Sequence, residues 1–488
     1  MPLKKFLLAC LAILTVFSFS GFAQVDAAQS IAAVGPEPGE PGLDALQEVT
    51  NPVYLPIIGK QFPFTTVFGV ELRRLNNANG LDKAAAAQAT WTRRNALLWD
   101  AVETTEGSYG WSAVSDLEQE LIDASSNGIE VILVVRSTPA WAQQIPGKAC
   151  GPVKADKLAA FGDFLEEAVK RYSVAPFNVR YWQIWNEPDV DPGAVDSDSP
   201  FGCWGDPADT YYGGDYYGEM LATVYPRIKS AFAGAKVIVG GLLLDCNPNY
   251  PDVCSHTSGH YLEGILRRNG ANDGANYFDI VGFHAYDDFT ALGQYQSVNW
   301  KTAWNTSGPA LIAKAAFLRQ VLASYGAANK PLMITELALR CGTDATTPAC
   351  IDGDFETTKA YYIAQAFSAS IAHKLQASIW FSMNGPWRNT SLLNPDLTAK
   401  PAYQAFSVAR DTLASAQFSG EIGAYPGVKG YTFAKDGKAV WVLWSLDGEP
   451  HTVTLPSMPA SAIDALGNPV VVNSLEVTVD LNPTYYQW

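Results

Sequence analysis

The sequence predicts a (β/α)8 barrel carrying a small C-terminal all-β sandwich. Three observations carry that prediction. Between about residues 62 and 415, short apolar runs of strand length alternate eight times with longer segments of helical period. The runs are continuously apolar, as strands covered by helices on both faces require. After about residue 415 the helices stop, and short β-type runs separated by turn signals follow.

The elements follow in chain order. Residues 1–23 (MPLKKFLLACLAILTVFSFSGFA) read as a secretory leader. Lys4 and Lys5 give the positive start, Phe6 to Phe19 the apolar run, and Gly21-Phe22-Ala23 a small-residue cleavage site. That run is shorter than the roughly 20 residues a spanning helix needs. Residues 24–60 read as a linker and N-terminal extension, rich in Pro, Gly and acid over 29–50. The barrel is expected over 61–415. Its strand runs are Thr65–Leu72, Trp91–Trp99, Glu130–Arg136, Val179–Trp185, Lys236–Leu244, Phe278–Ala285, Pro331–Leu337 and Ala377–Met383. The helical segments are Ser115–Asn127, Lys157–Tyr172, Tyr216–Phe232, Gly259–Arg268, Gly308–Tyr325, Thr357–His373 and Lys400–Leu413. Eight such units over about 350 residues point to closure into a barrel. The sandwich is expected over 416–488, from the runs Tyr431–Phe433, Ala439–Ser445, Thr452–Leu455 and Val470–Leu481. Asp436-Gly437, Asp447-Gly448 and Gly467-Asn468-Pro469 separate them.

Composition narrows the partners. The 488 residues hold 49 acidic and 33 basic side chains, a formal charge of −16. Removing residues 1–23 takes away two lysines and no acid, deepening the charge to −18. No Lys/Arg-rich stretch is present, which excludes the counterion-displacing face that nucleic acid requires. A polybasic membrane-surface protein is disfavoured on the same ground. A neutral partner fits better, and no stable membrane insertion is expected once the leader is cleaved. Apolar residues at 48% suffice for a large core, and 12% aromatics argue against disorder. No GxSxG elbow, P-loop or GxGxxG is found, so no cofactor is expected.

Seven cysteines occur, and Cys10 leaves with the leader. Six remain, an even number in an exported chain, which points to disulfides. Cys246 and Cys254 bracket the loop after strand five, and Cys341 and Cys350 the loop after strand seven. Both are short local closures and are expected as pairs. Cys150, after strand three, then pairs with Cys203, after strand four. A zinc site would need tight Cys spacing, which is missing. His256 and His260 have i, i+4 spacing but no placed third ligand, so no metal is expected.

A barrel carries its chemistry at the C-terminal ends of its strands. Strand four ends Ile184-Trp185-Asn186-Glu187-Pro188, and strand seven ends Ile334-Thr335-Glu336-Leu337. These strands face each other across the barrel, so both carboxylates can reach one cleft. Two carboxylates flanking a bond are what glycoside hydrolysis uses. Together with His284-Ala285-Tyr286 on strand six, Trp380 on strand eight, Trp99, the run Glu103–Trp111 and Lys400-Pro401-Ala402-Tyr403, they make the chain resemble a clan A glycoside hydrolase. It is most similar to the secreted bacterial enzymes of family 39 or family 5. The resemblance covers roughly residues 62–415, and its pairing of Asn186-Glu187-Pro188 with Glu336, 149 residues on, is specific.

The resemblance implies that Glu187 is the acid/base and Glu336 the nucleophile of a retaining O-glycosidase acting on β-linked oligo- or polysaccharides. It implies that Asn186 bonds the sugar 2-hydroxyl, that Tyr286 bonds Glu336 and that His284 lines the same pocket. Trp380 would floor the catalytic subsite. Arg93 would fix Glu336 by charge, with neighbouring Arg94 as its alternative. Repulsion from a charged Glu336 would keep Glu187 protonated near neutral pH. Plainer readings stand beside these: a core role for His284, Tyr286 or Trp380, and a simple ion pair for Arg93. Trp99, Glu103 and Trp141 read as structural. The expected protein is a secreted monomer, free or at the cell surface. The alternative is a non-catalytic carbohydrate-binding protein on a degenerate barrel.

Overall fold

A computed structural model describes residues 66–250, 252–253, 258–342 and 353–488. The expected leader and linker lie outside the described residues. Eight parallel strands form the barrel: β1 (Phe68–Val70), β2 (Trp91–Leu98), β3 (Glu130–Arg136), β4 (Tyr181–Ile184), β5 (Lys236–Leu242), β6 (Ile280–Ala291), β7 (Leu332–Arg340) and β8 (Ser378–Trp380). Each pairs with the next, and β8 returns to β1 through Phe68↔Ser378 and Val70↔Trp380. The sheet is therefore closed. A short antiparallel ribbon, Gln294–Ser297 and Thr302–Ala303, extends from β6.

The helices are α1 (Leu81–Ala86), α2 (Trp99–Val102), α3 (Ser115–Ser126), α4 (Leu158–Tyr172), α5 (Gly214–Ala231), α6 (Tyr261–Arg267), α7 (Ala310–Ser324), α8 (Gly353–Ala372) and α9 (Pro401–Leu413). The large core lies between strands and helices and contains Leu133, Val135, Trp182, Ile184, Phe283 and Ile334. A second, smaller cluster fills the lower barrel: Trp91, Ile132, Ile238, Ile280, Met333, Ala377 and Ile379, with Tyr181 against it. Strand side chains alternate between faces, so these residues fix which positions point into the barrel. Two residues beyond Trp91 and Tyr181 are Arg93 and Gln183, and the polar upper layer begins there. None of the helices among the described residues is long and apolar enough to cross a membrane.

The C-terminal region holds β9 (Gln417–Ile422), β10 (Val428–Lys435), β11 (Lys438–Ser445), β12 (His451–Thr454), β13 (Ser461–Asp464), β14 (Glu476–Val479) and β15 (Thr484–Gln487). Five form an antiparallel sheet in the order β9-β10-β11-β15-β13, and β12 pairs with β14. Asp436 and Gly437, both at positive φ, make the two-residue turn between β10 and β11. One face of the large sheet puts Tyr431, Phe433, Val442, Trp444 and Tyr485 into the barrel's own core. The other packs Ile422, Leu443, Ala462 and Tyr486 against Val453 and Val479 of the small sheet. The sheet is thus covered on both sides. Of the expected run Val470–Leu481, only Glu476–Val479 is strand.

Candidate active site

Five strand ends, those of β1, β2, β4, β6 and β7, and the loop after β8 build the site. On β2, Trp91 faces the barrel floor, so Arg93 points inward and Arg94 outward. Arg94 pairs with Glu120 of α3 at 2.5 Å, which settles the choice between the two arginines. Arg93 is completely buried and organises the centre. Its Nη1 donates to Glu336 Oε1 at 2.6 Å and to Glu71 Oε2 at 2.8 Å. Its Nη2 donates to Asn186 Oδ1 at 2.6 Å, and its Nε to Gln183 Oε1 at 3.2 Å.

The end of β4 is bent out of strand geometry. Trp185 and Glu187 both sit at positive φ, 72° and 47°. Each such non-glycine conformation costs on the order of 1–3 kcal/mol, and surroundings must hold it. Here Trp185 N donates to Val135 O at 2.8 Å and Glu187 N to Gly240 O at 2.9 Å. The Trp185 indole donates to Cys150 O and Gly202 O at 3.1 and 3.2 Å. Cys150 and Cys203 form the expected disulfide, tying the loops after β3 and β4 behind that indole. Asp189 accepts from Leu243 N and Leu244 N at 2.9 and 2.8 Å, linking the same loop to the end of β5.

Glu336 reaches the site through a bulge. Phe283 pairs with Ile334, but the next residue, His284, pairs with Glu336. Thr335 is the extra residue. By strict alternation from Met333, Glu336 would turn toward the helices; the bulge re-aims it inward. The Tyr286 hydroxyl then donates to its Oε2. On β6, His284 Nδ1 lies 2.7 Å from Glu187 Oε1, and its Nε2 3.6 Å from Glu336 Oε1. Gly241, at φ +51°, leaves the room for that ring, since a Cβ there would lie 2.6 Å from His284 Nε2. Below His284, the buried Lys314 ammonium donates to Leu243 O and His284 O at 2.8 and 2.9 Å. A recess beside Tyr286 is lined by Asp245, Asp288, Trp300, Lys314 and Arg340.

Burial sets the proton affinities. It pushes Glu187 up to about 7, against the pull of Arg93 and Lys314, while Asp245 adds to the rise. The cause expected from the sequence, repulsion from Glu336, is therefore corrected: removal from water is the larger effect. Burial also raises Glu71 to about 7, and Glu336 adds to that while Arg93 opposes it. His284 is pulled down to about 3 by burial, so it is neutral. Burial alone would weaken the protonation of Arg93, but Glu71 and Glu336 hold it above its ordinary value.

Of the expected residues, Glu187, Glu336, Asn186, His284, Tyr286 and Arg93 converge here. Trp380 does not. Ile379 faces the barrel floor, so Trp380 faces the helices, fully buried beside Tyr362 of α8 with its indole donating to Thr390 O at 3.0 Å. The aromatics on the site side are Phe381 and Trp387, whose rings lie 5.2 Å apart, with Trp387 5.5 Å from Tyr286. Glu71, immediately after β1, is a site carboxylate that the sequence reading missed. Trp99 and Glu103 bond each other at 2.6 Å and Trp141 bonds Glu103 O at 3.2 Å, away from the pair. Cys246 and Cys341 are each disulfide-bonded. Their expected partners, Cys254 and Cys350, lie outside the described residues, as does His256. His260 Nδ1 lies 3.0 Å from Glu263 of α6.

One ligand atom each of Glu187, His284 and Glu336 lie within 4.8 Å of one another, close enough in principle for a metal ion. Arg93 and Tyr286 already occupy both oxygens of Glu336, and His284 Nδ1 is engaged with Glu187. A divalent cation there would have to share Glu336 Oε1 with the Arg93 guanidinium, whose fixed positive charge opposes it. The donor set therefore fits proton transfer and not metal binding.

The fold has many solved relatives. A family 39 glycoside hydrolase from the gut symbiont Bacteroides cellulosilyticus WH2 superposes with a TM-score of 0.62 at 20% identity, over 86% of this chain and 80% of that one. A GH30 endoxylanase from Clostridium papyrosolvens C71 gives 0.54 at 13% identity, over 87% and 96%. A monomeric β-xylosidase from Caulobacter crescentus CB15 gives 0.52 at 14%, over 86% and 99%. The chain shares the barrel fold of these glycoside hydrolases. Neither a family model nor a curated protein sequence matches the chain.

Proposed function

We propose that the protein is a retaining glycoside hydrolase that cleaves β-linked oligo- or polysaccharides, with Glu187 as acid/base and Glu336 as nucleophile. One observation carries this: two buried carboxylates at opposite strand ends, with oxygens within 4.8 Å, sit in unequal surroundings. Retaining enzymes hold such groups about 5–5.5 Å apart, inverting ones about 6.5–9.5 Å. Glu336 accepts from a guanidinium and a phenol, an arrangement suited to a charged oxygen. Glu187, raised by burial, holds a proton near neutral pH and faces a neutral imidazole.

The chemistry follows. Glu336 attacks the anomeric carbon as the glycosidic C–O bond breaks, and Glu187 gives its proton to the departing oxygen. Glu187, now a carboxylate, takes a proton from water as the water oxygen attacks the same carbon. The ester to Glu336 breaks, and configuration is retained. Arg93 and Tyr286 fix the nucleophile, His284 fixes the acid, and Asn186, whose Nδ2 donates one hydrogen to Pro200 O at 3.3 Å, keeps a second N–H for the sugar 2-hydroxyl. Phe381 and Trp387 take the stacking role once expected of Trp380. The leader and the Cys150–Cys203 bond support export, with a barrel over 61–415, a structural sandwich over 416–488 and a secreted monomer as the working form.

The test uses activated nitrophenyl glycosides and azide. Glu336→Gly nearly abolishes hydrolysis, and azide restores turnover, giving a glycosyl azide of inverted configuration. Glu187→Ala keeps the first step on activated substrates and slows deglycosylation by roughly 10²–10⁴-fold; azide then gives product of retained configuration. The same anomer from both variants, or full Glu187→Ala activity on a poor leaving group, overturns the assignment. Binding without turnover across a broad panel favours a carbohydrate-binding protein.

A further inference from the structure

The 33 basic residues of this chain are outnumbered by 49 acidic ones, and its overall charge argues for a neutral partner. The rim above Tyr286 departs from that balance. Arg388 lies in the short turn Trp387–Asn389 that follows β8, with its own φ at +42°. Its guanidinium carbon is 5.5 Å from the Trp387 ring centroid, and the Trp387 ring is 5.5 Å from that of Tyr286, which bonds Glu336. Arg340, at the end of β7, places its guanidinium 5.3 Å from the same Tyr286 ring. The backbone holds both in place: Cys341 N donates to Arg388 O at 3.1 Å.

The two arginines differ in one respect. Arg340 is neutralised by a bidentate pair with Asp288, at 3.0 and 2.9 Å. Arg388 has no acidic partner among the described residues, although it is half-buried. Burial, and then the charge of Arg340, lower its pKa, which Asp288 and Tyr286 only partly offset. A third arginine, the exposed Arg73, lies against the same loop, its Cδ 3.5 Å from where a Cβ on Gly385 would be. It too has no ion pair among the described residues. A half-buried guanidinium with no acidic partner of its own, beside a second arginine, is costly to keep charged until an anion joins it. Beside them Trp387 is 41% exposed, a flat apolar face open to a ring. An aromatic platform next to an unpaired guanidinium, reaching by way of Tyr286 to the nucleophile, has the parts needed to hold a sugar by its apolar face and its negative group at once.

We propose that this rim is a subsite for an anionic sugar residue, carboxylated or sulfated, with Arg388 as the group that pairs with the anion and Trp387 as the surface on which the ring stacks. The inference rests on the glycosidase reading of the same site and names its substrate class.

The experiment pairs neutral, carboxylated and sulfated substrates: nitrophenyl glucoside against glucuronide, and polysaccharides with and without uronate or sulfate groups. The wild-type protein is expected to turn over the anionic member faster. Arg388→Gln is expected to lower the anionic-to-neutral ratio of kcat/KM by about 10–100-fold, the loss of one charged hydrogen bond. Arg388→Lys restores part of it, and 0.5 M salt weakens only the anionic arm. Preference for carboxylated over sulfated substrates, or the reverse, identifies the anion. Calorimetry of the same oligosaccharides with Glu187→Gln gives a readout independent of turnover. Turnover of neutral substrates with no anionic preference and no change of ratio in Arg388→Gln overturns the inference while leaving the glycosidase reading intact. Anionic binding without any turnover keeps the inference and sinks the glycosidase reading. Neither turnover nor anionic binding overturns both.

Discussion

The lower and upper halves of the barrel interior use the same strands and the same two-residue alternation, yet their chemistry is opposite. Below, Trp91, Ile132, Ile238, Ile280, Met333 and Ile379 close on one another. Above, Arg93 bonds Gln183, Glu71 and Glu336, and His284 bonds Glu187 and lies 3.6 Å from Glu336, so the polar groups adjoin one another. The lower half gains roughly 25 cal/mol for each Å² of apolar surface removed from water. The upper half must offset the desolvation of several ionisable groups, and it holds Trp185 and Glu187 in strained backbone as well. The contrast separates the residues that stabilise the fold from those that cost stability in return for chemistry.

Breaking the lower half should therefore affect stability alone. Ile280 is nearly fully buried and stands four residues before His284, about 13 Å along the strand. Ile280→Ala is expected to destabilise by about 2–4 kcal/mol, through lost burial and the cavity left behind. Chemical denaturation measures it. In the folded fraction the pH profile of hydrolysis should not move. A shifted profile would show that the two halves are coupled and that the division drawn between them is wrong.

The same division explains what the sequence made legible. Eight strand runs were readable because strands buried on both faces are continuously apolar, and the structure closes all eight into the barrel. Glu187 stood out because Asn and Pro flank it at a strand end. Glu336 was legible as a strand-end acid, but its direction depends on the bulge at Thr335, which no periodicity reveals. Trp380 was misplaced for a related reason: Ala377–Met383 contains no charged residue to show which positions face inward, and a one-residue error in phase exchanges the two faces. Glu71 sits inside the otherwise apolar run Thr65–Leu72, where nothing in the pattern singles it out. In the C-terminal region, β9 reads QFSGEI and β13 SAID, short and mostly polar, so neither gives an apolar run to find. Trp444 and Tyr485 of that region lie in the core shared with the barrel.

Removing a charge from the upper half should reverse the sign of the stability effect. Burial raises Glu187 from an ordinary 4.5 to about 7. The folded state therefore holds a proton there that the unfolded chain has released. The stability this contributes is complete below about pH 4.5 and is lost as the pH rises through 7. Glu187→Gln cannot ionise, and its amide oxygen still faces His284 Nδ1. The variant is expected to match the wild type near pH 5 and to exceed it at pH 8, by on the order of 2–3 kcal/mol. Melting temperatures across that range check it. A variant less stable than the wild type at pH 8 would mean that the Glu187–His284 contact outweighs the burial of the charge.

The smallest expected effect concerns a residue outside both halves. Asp245 is exposed on the loop after β5, and its negative charge adds to the rise of Glu187. Replacing it with Asn removes repulsion that disfavours the ionised Glu187, so Glu187 should release its proton at a lower pH. In the proposed mechanism the protonated form is the one that starts the reaction, so the alkaline limb of kcat/KM should move down. An exposed charge acts through water, and the shift should be only a few tenths of a pH unit, roughly, and smaller still at high salt. The acid limb serves as the internal reference and should stay in place. A move of the alkaline limb upward, or equal movement of both limbs, would mean that Glu187 is not the group that sets it. The upper half would then need another acid, and Glu71, which burial also raises to about 7, is the one within reach of the same guanidinium.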